Sequence, residues 1–160
     1  MKAYEPDDLS SMGENNEASI PASLLSPSDN RSLTFHLLYA MEAFDYNVSL
    51  EAIADNFSKG FCYTITPQDQ AFIQAKEIIT HRNELDAAYA NLLENWRSER
   101  IGVCTKLIIR LALWELQQKT IEPAIVINEA IELSKCFAEQ DAYKFVNGIL
   151  DEWLKKQNPA

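Results

Sequence analysis

Glycine and histidine are scarce in this sequence of 160 residues, and each scarcity excludes a kind of site. Only four glycines are present, too few and too scattered to form a Gly-rich phosphate-binding loop. The two histidines, His36 and His81, have no cysteine or histidine at metal-ligand spacing. We therefore predict no metal site and interpret both histidines as solvated or cap-like side chains.

Cysteine is also rare, and its pattern excludes several chemistries. Cys62, Cys104 and Cys136 are widely spaced and contain no CxxC pair, which predicts free, buried thiols in a reducing cytosol. No serine lies in a nucleophile elbow, and no cysteine adjoins a histidine in sequence. We expect a protein with no catalytic residue and no cofactor, and therefore not an enzyme.

Long apolar runs and basic side chains are few as well. No run approaches the ~20 apolar residues that a membrane span needs, and no apolar core follows Lys2. We expect a cytoplasmic protein without a secretory signal or a membrane partner. The formal net charge is -10, with 24 acidic and 14 basic side chains. Since neutralised phosphates drive binding to nucleic acid, this charge argues against a broad electrostatic contact with it.

The acidic charge is concentrated at the N-terminus. Residues 1–30 hold six acidic side chains against one base, Lys2, and no aromatic residue after Tyr4. They bury too little apolar surface to offset the entropy of ordering. We predict a disordered acidic arm at residues 1–30, with Ser26–Asp29 as the edge of the fold, and a helical domain at residues 31–157.

Apolar spacings of three and four residues indicate helices throughout that domain. Capping signals accompany them, namely Ser49 before and Gly60 after a short helix, Thr66-Pro67 before the next, and Pro123 and Asp141 before the last two. The first apolar stripe is Leu33, Leu37, Leu38, Met41 and Phe44. About seven helices and no sheet predict an all-α bundle.

Two runs carry a resemblance to a known family. The first is Arg110–Leu116, followed by Pro123 and Ile127–Leu133, and the second is Lys144–Asp151. Their order and wording resemble the NusB family of transcription antitermination factors over roughly residues 31–156. The resemblance implies two packed three-helix subdomains. It also implies binding of boxA-type single-stranded RNA together with the ribosomal protein NusE in a transcription elongation complex, and it leaves open a homodimer.

The resemblance also implies an RNA-binding face. Carried over residue by residue, that face consists of Arg31, Tyr39, Phe137, Asp141, Lys144 and Phe145. Each residue has a structural alternative. Phe137 and Phe145 fall on helix stripes and could pack in the core, Asp141 could cap a helix, and the others could be solvated.

The sequence departs from the family pattern where RNA contacts are expected. The family usually has an arginine-rich stretch before the first helix, whereas here Arg31 alone follows Ser26–Asn30. Thr105 and Glu77 replace an acidic residue and a glycine that are common in the family. A second hypothesis is therefore a protein-only adaptor that keeps the NusE-facing surface without RNA binding. A third, the NusB-like domain of RNA cytosine methyltransferases, is weakened because the chain ends at Ala160.

Overall fold

The computed structural model describes residues 19–60, 63–95 and 101–159. Within them lie seven α-helices, namely α1 (Pro27–Ala43), α2 (Leu50–Gly60), α3 (Gln70–Thr80), α4 (Arg82–Ala90), α5 (Val103–Gln118), α6 (Pro123–Phe137) and α7 (Ala142–Gln157). Short 3-10 helices span Ala22–Leu24 and Asn91–Asn95. The all-α prediction is confirmed, although a parallel pair of two-residue strands, β1 (Ile20–Pro21) and β2 (Tyr63–Thr64), was not foreseen.

The first helix begins earlier than the predicted boundary at residue 31. The Ser26 hydroxyl accepts a hydrogen bond from the Asp29 backbone N–H at 3.1 Å, and Pro27 occupies the first helical position. Ala22 is already buried, because β1 pairs with β2 and brings the chain onto the bundle. Regular structure thus reaches back beyond residue 31, and the disorder predicted for residues 1–18 lies outside the described residues.

Most of the other helix ends follow the predicted signals. The Ser49 hydroxyl accepts from the Ala52 N–H at 3.1 Å, α2 ends at Gly60, and Pro123 opens α6. The start predicted at Thr66-Pro67 is wrong. The Asp69 carboxylate accepts from the Thr66 N–H at 2.7 Å and closes a turn there, so α3 begins only at Gln70.

Two predictions of burial are also wrong. Phe44 is 53% exposed because α1 ends at Ala43 and the next residues turn through positive φ angles. Cys136 is exposed and Cys104 is half-buried, while Cys62 lies outside the described residues. In both cases apolar character and helical spacing were poor guides to residues at or near a helix end.

The helices form two three-helix units that share one core. Helices α1, α2 and α3 pack on one another, and α5, α6 and α7 do the same, while α4 links the units and contacts α5. This confirms the two predicted subdomains. Helix α1 also packs against α5, so the N-terminal unit is seated on the C-terminal one. None of the helices in the described ranges is long and apolar enough to cross a bilayer.

Helix α1 runs alongside α6 in the same direction. The Ser28 hydroxyl donates to the Glu129 carboxylate at 2.7 Å, and about two turns further on His36 contacts Phe137. This arrangement brings side chains about 100 residues apart in sequence onto a shared surface between the two units.

Candidate nucleic-acid interface

Four ring side chains meet where α1 passes the end of α6. We call Phe35, His36, Tyr39 and Phe137 the aromatic cluster. The Phe137 ring stacks on Phe35 with centroids 5.0 Å apart and planes at 19°, and His36 meets Phe137 edge-on at 4.9 Å. The Tyr39 ring lies 6.4 Å from Phe35, tilted by 36°. Because residues 35 and 39 are one turn apart on α1, a single buried ring supports both flanking rings.

The cluster is buried at its base and open at its rim. Phe35 is 3% exposed, whereas Phe137 is 37% and Tyr39 is 47% exposed. Phe137 therefore does not occupy the core position that its helix stripe allowed. Exposed, supported aromatic rings are the feature on which unpaired bases stack.

His36 also belongs to the aromatic cluster, although the sequence did not indicate this role. Its Nδ1 lies 2.6 Å from the Ser32 carbonyl oxygen. Since a carbonyl only accepts, Nδ1 donates in this bond, and Nε2 remains as the second polar atom of the ring. The signal in the sequence was weak, because only the packing of α6 brings Phe137 to His36. His81, by contrast, holds the position between α3 and α4, with Glu77 and Glu84 at 3.5 and 3.3 Å, but its side chain makes no capping hydrogen bond to the described residues.

Arg31 lies inside the fold rather than on the predicted face. It is 5% exposed, and its Nε lies 2.9 and 3.1 Å from the two carboxylate oxygens of Glu115. Its Nη1 is 4.0 Å from Glu129. Burial raises the pKa of Glu115 above its ordinary value, although the Arg31 guanidinium opposes that shift. The solvated alternative for Arg31 is wrong, because the α1 face that carries it is turned toward α5.

Asp141 and Lys144 lie at the start of α7 and contact each other. Asp141 holds the N-cap position with a left-handed φ of 67°, but its side chain makes no capping hydrogen bond to the described residues. Its carboxylate lies 3.6 Å from the Lys144 Nζ instead, and both side chains are exposed. The cap prediction was therefore right in position and wrong in chemistry.

Phe145 follows them on α7 and points partly inward. It is half-buried and packs against the shared core, next to the fully buried Val146 and Ile149. Much of the Phe145 side chain therefore packs in the core, as the alternative of core packing predicted. Phe137 ends α6, and Asp141 immediately precedes α7. The four residue steps between them reach at most about 14 Å.

An acidic groove borders the aromatic cluster. This groove of about 160 Å³ lies between α1 and α6, and its lining includes Asp29, Glu129, Glu132 and Phe137. Glu129 is tied to Ser28 and faces Arg31, whereas Glu132 lies 3.8 Å from Lys135. The acidic residues of this groove come from two helices far apart in sequence, so no local sequence pattern could have indicated the groove.

A second polar network shows what the Arg110–Leu116 run does in the fold. Arg110 donates two hydrogen bonds of 2.7 Å to the two oxygens of Asp86 and a third of 3.2 Å to Tyr46. Burial alone would raise the pKa of Asp86, but the bonds and charge of Arg110 outweigh it, and that pKa is lowered. Arg110 thus joins α5 to α4 and to the end of α1, while Glu115 on the same helix holds the start of α1.

We find no metal-binding constellation in the part of the chain that the structure describes, since no three His, Cys, Asp or Glu residues there are grouped to hold an ion. The fold and site instead define a class: an all-α protein of two packed three-helix units, with exposed aromatic rings where α1 passes the end of α6. The NusB family model matches residues 28–155. The chain belongs to the NusB family.

Individual relatives agree with this assignment. The transcription antitermination protein NusB of Staphylococcus carnosus is 31% identical over 126 residues, which is 79% of this chain and 97% of that protein. The corresponding protein of Halalkalibacterium halodurans is 42% identical over 82 residues, and that of Aeromonas salmonicida is 45% identical over 82 residues. These two matches span 61% and 59% of the relatives' own lengths, and 51% of this chain.

Solved structures share the fold. A structure of T. maritima NusB superposes with a TM-score of 0.67 at 27% identity and covers 82% of this chain and 92% of its own. A chain in a structure described as "Crystal Structure of a Plectonemic RNA Supercoil" gives a TM-score of 0.64 at 26% identity. That match covers 81% of this chain and 94% of its own.

Proposed function

We propose that this protein is a transcription antitermination factor that binds boxA-type single-stranded RNA together with the ribosomal protein NusE in a transcription elongation complex. The observation that carries the proposal is the pair of exposed rings, Tyr39 and Phe137, supported by the buried Phe35. Two neighbouring platforms can stack successive bases, at about 1–3 kcal/mol per base. The names of the relatives in the family support the same function.

The start of α7 supplies the charge that such a site needs. Lys144 is exposed and offers one phosphate contact, and its Nζ lies 3.6 Å from the Asp141 carboxylate. A phosphate competes for Lys144 with Asp141, since exposed ion pairs are weak, about 0–1 kcal/mol. Phe145 supports α7 from within and contributes its exposed part to the face.

Arg31 has an indirect part in this proposal. Its guanidinium is held by Glu115, so an RNA contact would require breaking a buried ion pair. We infer that Arg31 fixes the position of α1, and with it Phe35 and Tyr39, rather than touching RNA. The direct RNA contacts are then Tyr39, Phe137, Lys144, Asp141 and the outer part of Phe145.

One observation favours the alternative of a protein-only adaptor that binds a NusE-like partner. The groove beside Phe137 is lined by Asp29, Glu129 and Glu132, a charge that repels phosphates and suits a basic protein surface. With a net charge of -10, the chain has little excess base to compensate. The two functions predict opposite results in a binding experiment.

The test is an electrophoretic mobility shift with boxA-type RNA at low salt, with and without NusE. RNA binding predicts a shift that strengthens when NusE is present, and that weakens when Tyr39 and Phe137 are both changed to alanine. No shift in either condition, together with a NusE complex in size-exclusion chromatography, rejects RNA binding and leaves the adaptor.

A further inference from the structure

A second cleft opens on α1 next to the aromatic cluster. This cavity of about 240 Å³, which we call the α1–α2 cleft, has polar lining from Asp29, Ser32 and His36. Its apolar lining includes Leu33 and Phe57, and Tyr63 offers both a ring and a hydroxyl. Pockets for drug-sized ligands measure about 300–1,000 Å³, so this cleft suits a smaller, flat group such as one nucleobase.

The cleft and the aromatic cluster share one side chain. His36 lines the cleft and also meets Phe137 edge-on at 4.9 Å. A strand whose base stacks on Phe137 therefore passes directly by the mouth of the cleft. Single-stranded RNA is recognised in this way, with some bases stacked and a neighbour turned out into a pocket that reads its edge.

The polar chemistry of the cleft selects for hydrogen-bond donors. The Asp29 side chain is exposed, and its carboxylate accepts no hydrogen bond and forms no ion pair within the described residues. An ionised carboxylate offers only acceptors, and it binds best to two adjacent N–H groups. Guanine is the base whose Watson–Crick edge carries such a pair, at N1 and at the 2-amino group.

We propose that the α1–α2 cleft binds a single guanine base of the RNA, whose N1–H and 2-amino group donate hydrogen bonds to the Asp29 carboxylate. The base lies against the Phe57 and Tyr63 rings while its neighbour stacks on Phe137. This inference rests on the proposed RNA-binding function and specifies which base the site reads.

The experiment compares three fluorescein-labelled oligouridines that carry one central guanosine, inosine or adenosine, with fluorescence anisotropy as the readout. Inosine lacks only the 2-amino group, so it removes one of the two donors. The protein is the full chain, with and without NusE. The variants are Asp29→Asn and the matched control Asp45→Asn, which removes the same charge at the far end of α1, where the positive φ of 51° suits asparagine.

We expect wild type to bind the guanosine RNA about tenfold more tightly than the inosine RNA, since a hydrogen bond to a charged group is at stake. Asp29→Asn abolishes that ratio, and Asp45→Asn keeps it. Equal binding of all three RNAs by wild type overturns the guanine site and leaves the proposed function intact. Absence of binding to every RNA, with NusE present or not, overturns both.

Discussion

Arg31 and Glu115 form an ion pair inside the fold, with the Arg31 Nε 2.9 Å from a Glu115 carboxylate oxygen. The burial of Arg31 means that the pair joins the two three-helix units through α1 and α5. The position of Phe35, at the base of the aromatic cluster, therefore depends on an ion pair that is buried from solvent.

Changing Arg31 to methionine is expected to destabilise the protein by about 3–5 kcal/mol, because it leaves the Glu115 carboxylate buried without its partner. The double variant Arg31→Met with Glu115→Leu should recover most of that loss, since neither charge remains. Urea unfolding monitored by circular dichroism measures both. A single variant with wild-type stability and weakened RNA binding would contradict the positioning role and make Arg31 a direct contact.

Stability should fall in acid in a way that depends on Asp86. The pKa of Asp86 in the folded state lies below its ordinary value of 3.8, so the native state favours the carboxylate. The resulting stability is present above that ordinary value and is lost as pH falls through the folded-state pKa. Urea midpoints of wild type and Asp86→Asn, measured from pH 7 to pH 3, should converge as the pH falls.

The comparison with Asp86→Asn is needed because Glu115 acts in the opposite direction. Its pKa is raised by burial, so its ionisation disfavours the folded state. Glu115 is common to both proteins, and the difference between them isolates Asp86. At neutral pH the variant should be about 1–3 kcal/mol less stable, since Arg110 loses a charged acceptor. A difference in stability between wild type and Asp86→Asn that stays constant across this pH range would show that Asp86 has the same pKa in the folded and unfolded states.

Replacing Phe137 by alanine should weaken RNA binding more than it lowers stability. One stacking platform is worth about 1–3 kcal/mol, or roughly five- to 150-fold in affinity. Phe44→Ala is the matched control, because Phe44 is an exposed phenylalanine that lies at the end of α1. Anisotropy with boxA-type RNA and thermal melting give the two quantities. Equal effects of both variants on affinity would remove the aromatic cluster from the RNA-binding face.

Phe145 is expected to respond differently from Phe137. Because it is half-buried against the core, Phe145→Ala should destabilise the fold by about 1–2 kcal/mol as well as weaken RNA binding. Phe145→Leu keeps the apolar contact and removes the ring, so it should restore stability and not affinity. Melting temperatures and RNA affinities of the two variants separate the roles, and full recovery of affinity by leucine would make Phe145 a packing residue.

A phosphate contact made by Lys144 should be measurable in the salt dependence of RNA affinity. Each phosphate contact on a single strand contributes about 0.7 to the slope of log affinity against log salt. Lys144→Gln should lower the slope by about that amount, whereas Lys155→Gln, at the other end of α7, should leave it unchanged. Both lysines are exposed and paired with an aspartate, Lys144 at 3.6 Å and Lys155 at 3.1 Å, so the control is matched. Identical slopes for the two variants would exclude a phosphate contact at Lys144.

Local signals predicted much of the fold. Ser49, Gly60 and Pro123 end or begin helices as expected, because capping depends on residues within one turn of each other. The prediction failed at Thr66-Pro67, where Asp69 offers the backbone a competing turn. It failed again at Phe44, where the chain leaves the helix before the apolar stripe is complete.

The sequence indicated some residues of the candidate site but not their arrangement. Tyr39 and Phe137 were named from the family pattern, and the structure joins them through Phe35, which no pattern singled out. Arg31 was expected outside and lies inside. His36 was interpreted as an isolated histidine and instead joins the aromatic cluster to the α1–α2 cleft.

The sequence by itself determined the family, the all-α class and the chemical kinds of side chain available near the start of α1 and the end of α6. Those properties follow from apolar spacings of three or four residues and from motifs whose residues are consecutive in the chain. Only the tertiary structure decided which side of α1 faces α5, and hence that Arg31 is buried while Tyr39 is open. The physical reason is that a helix has a periodic surface on every side, and its neighbours in space, here α5 and α6, select the side that is buried.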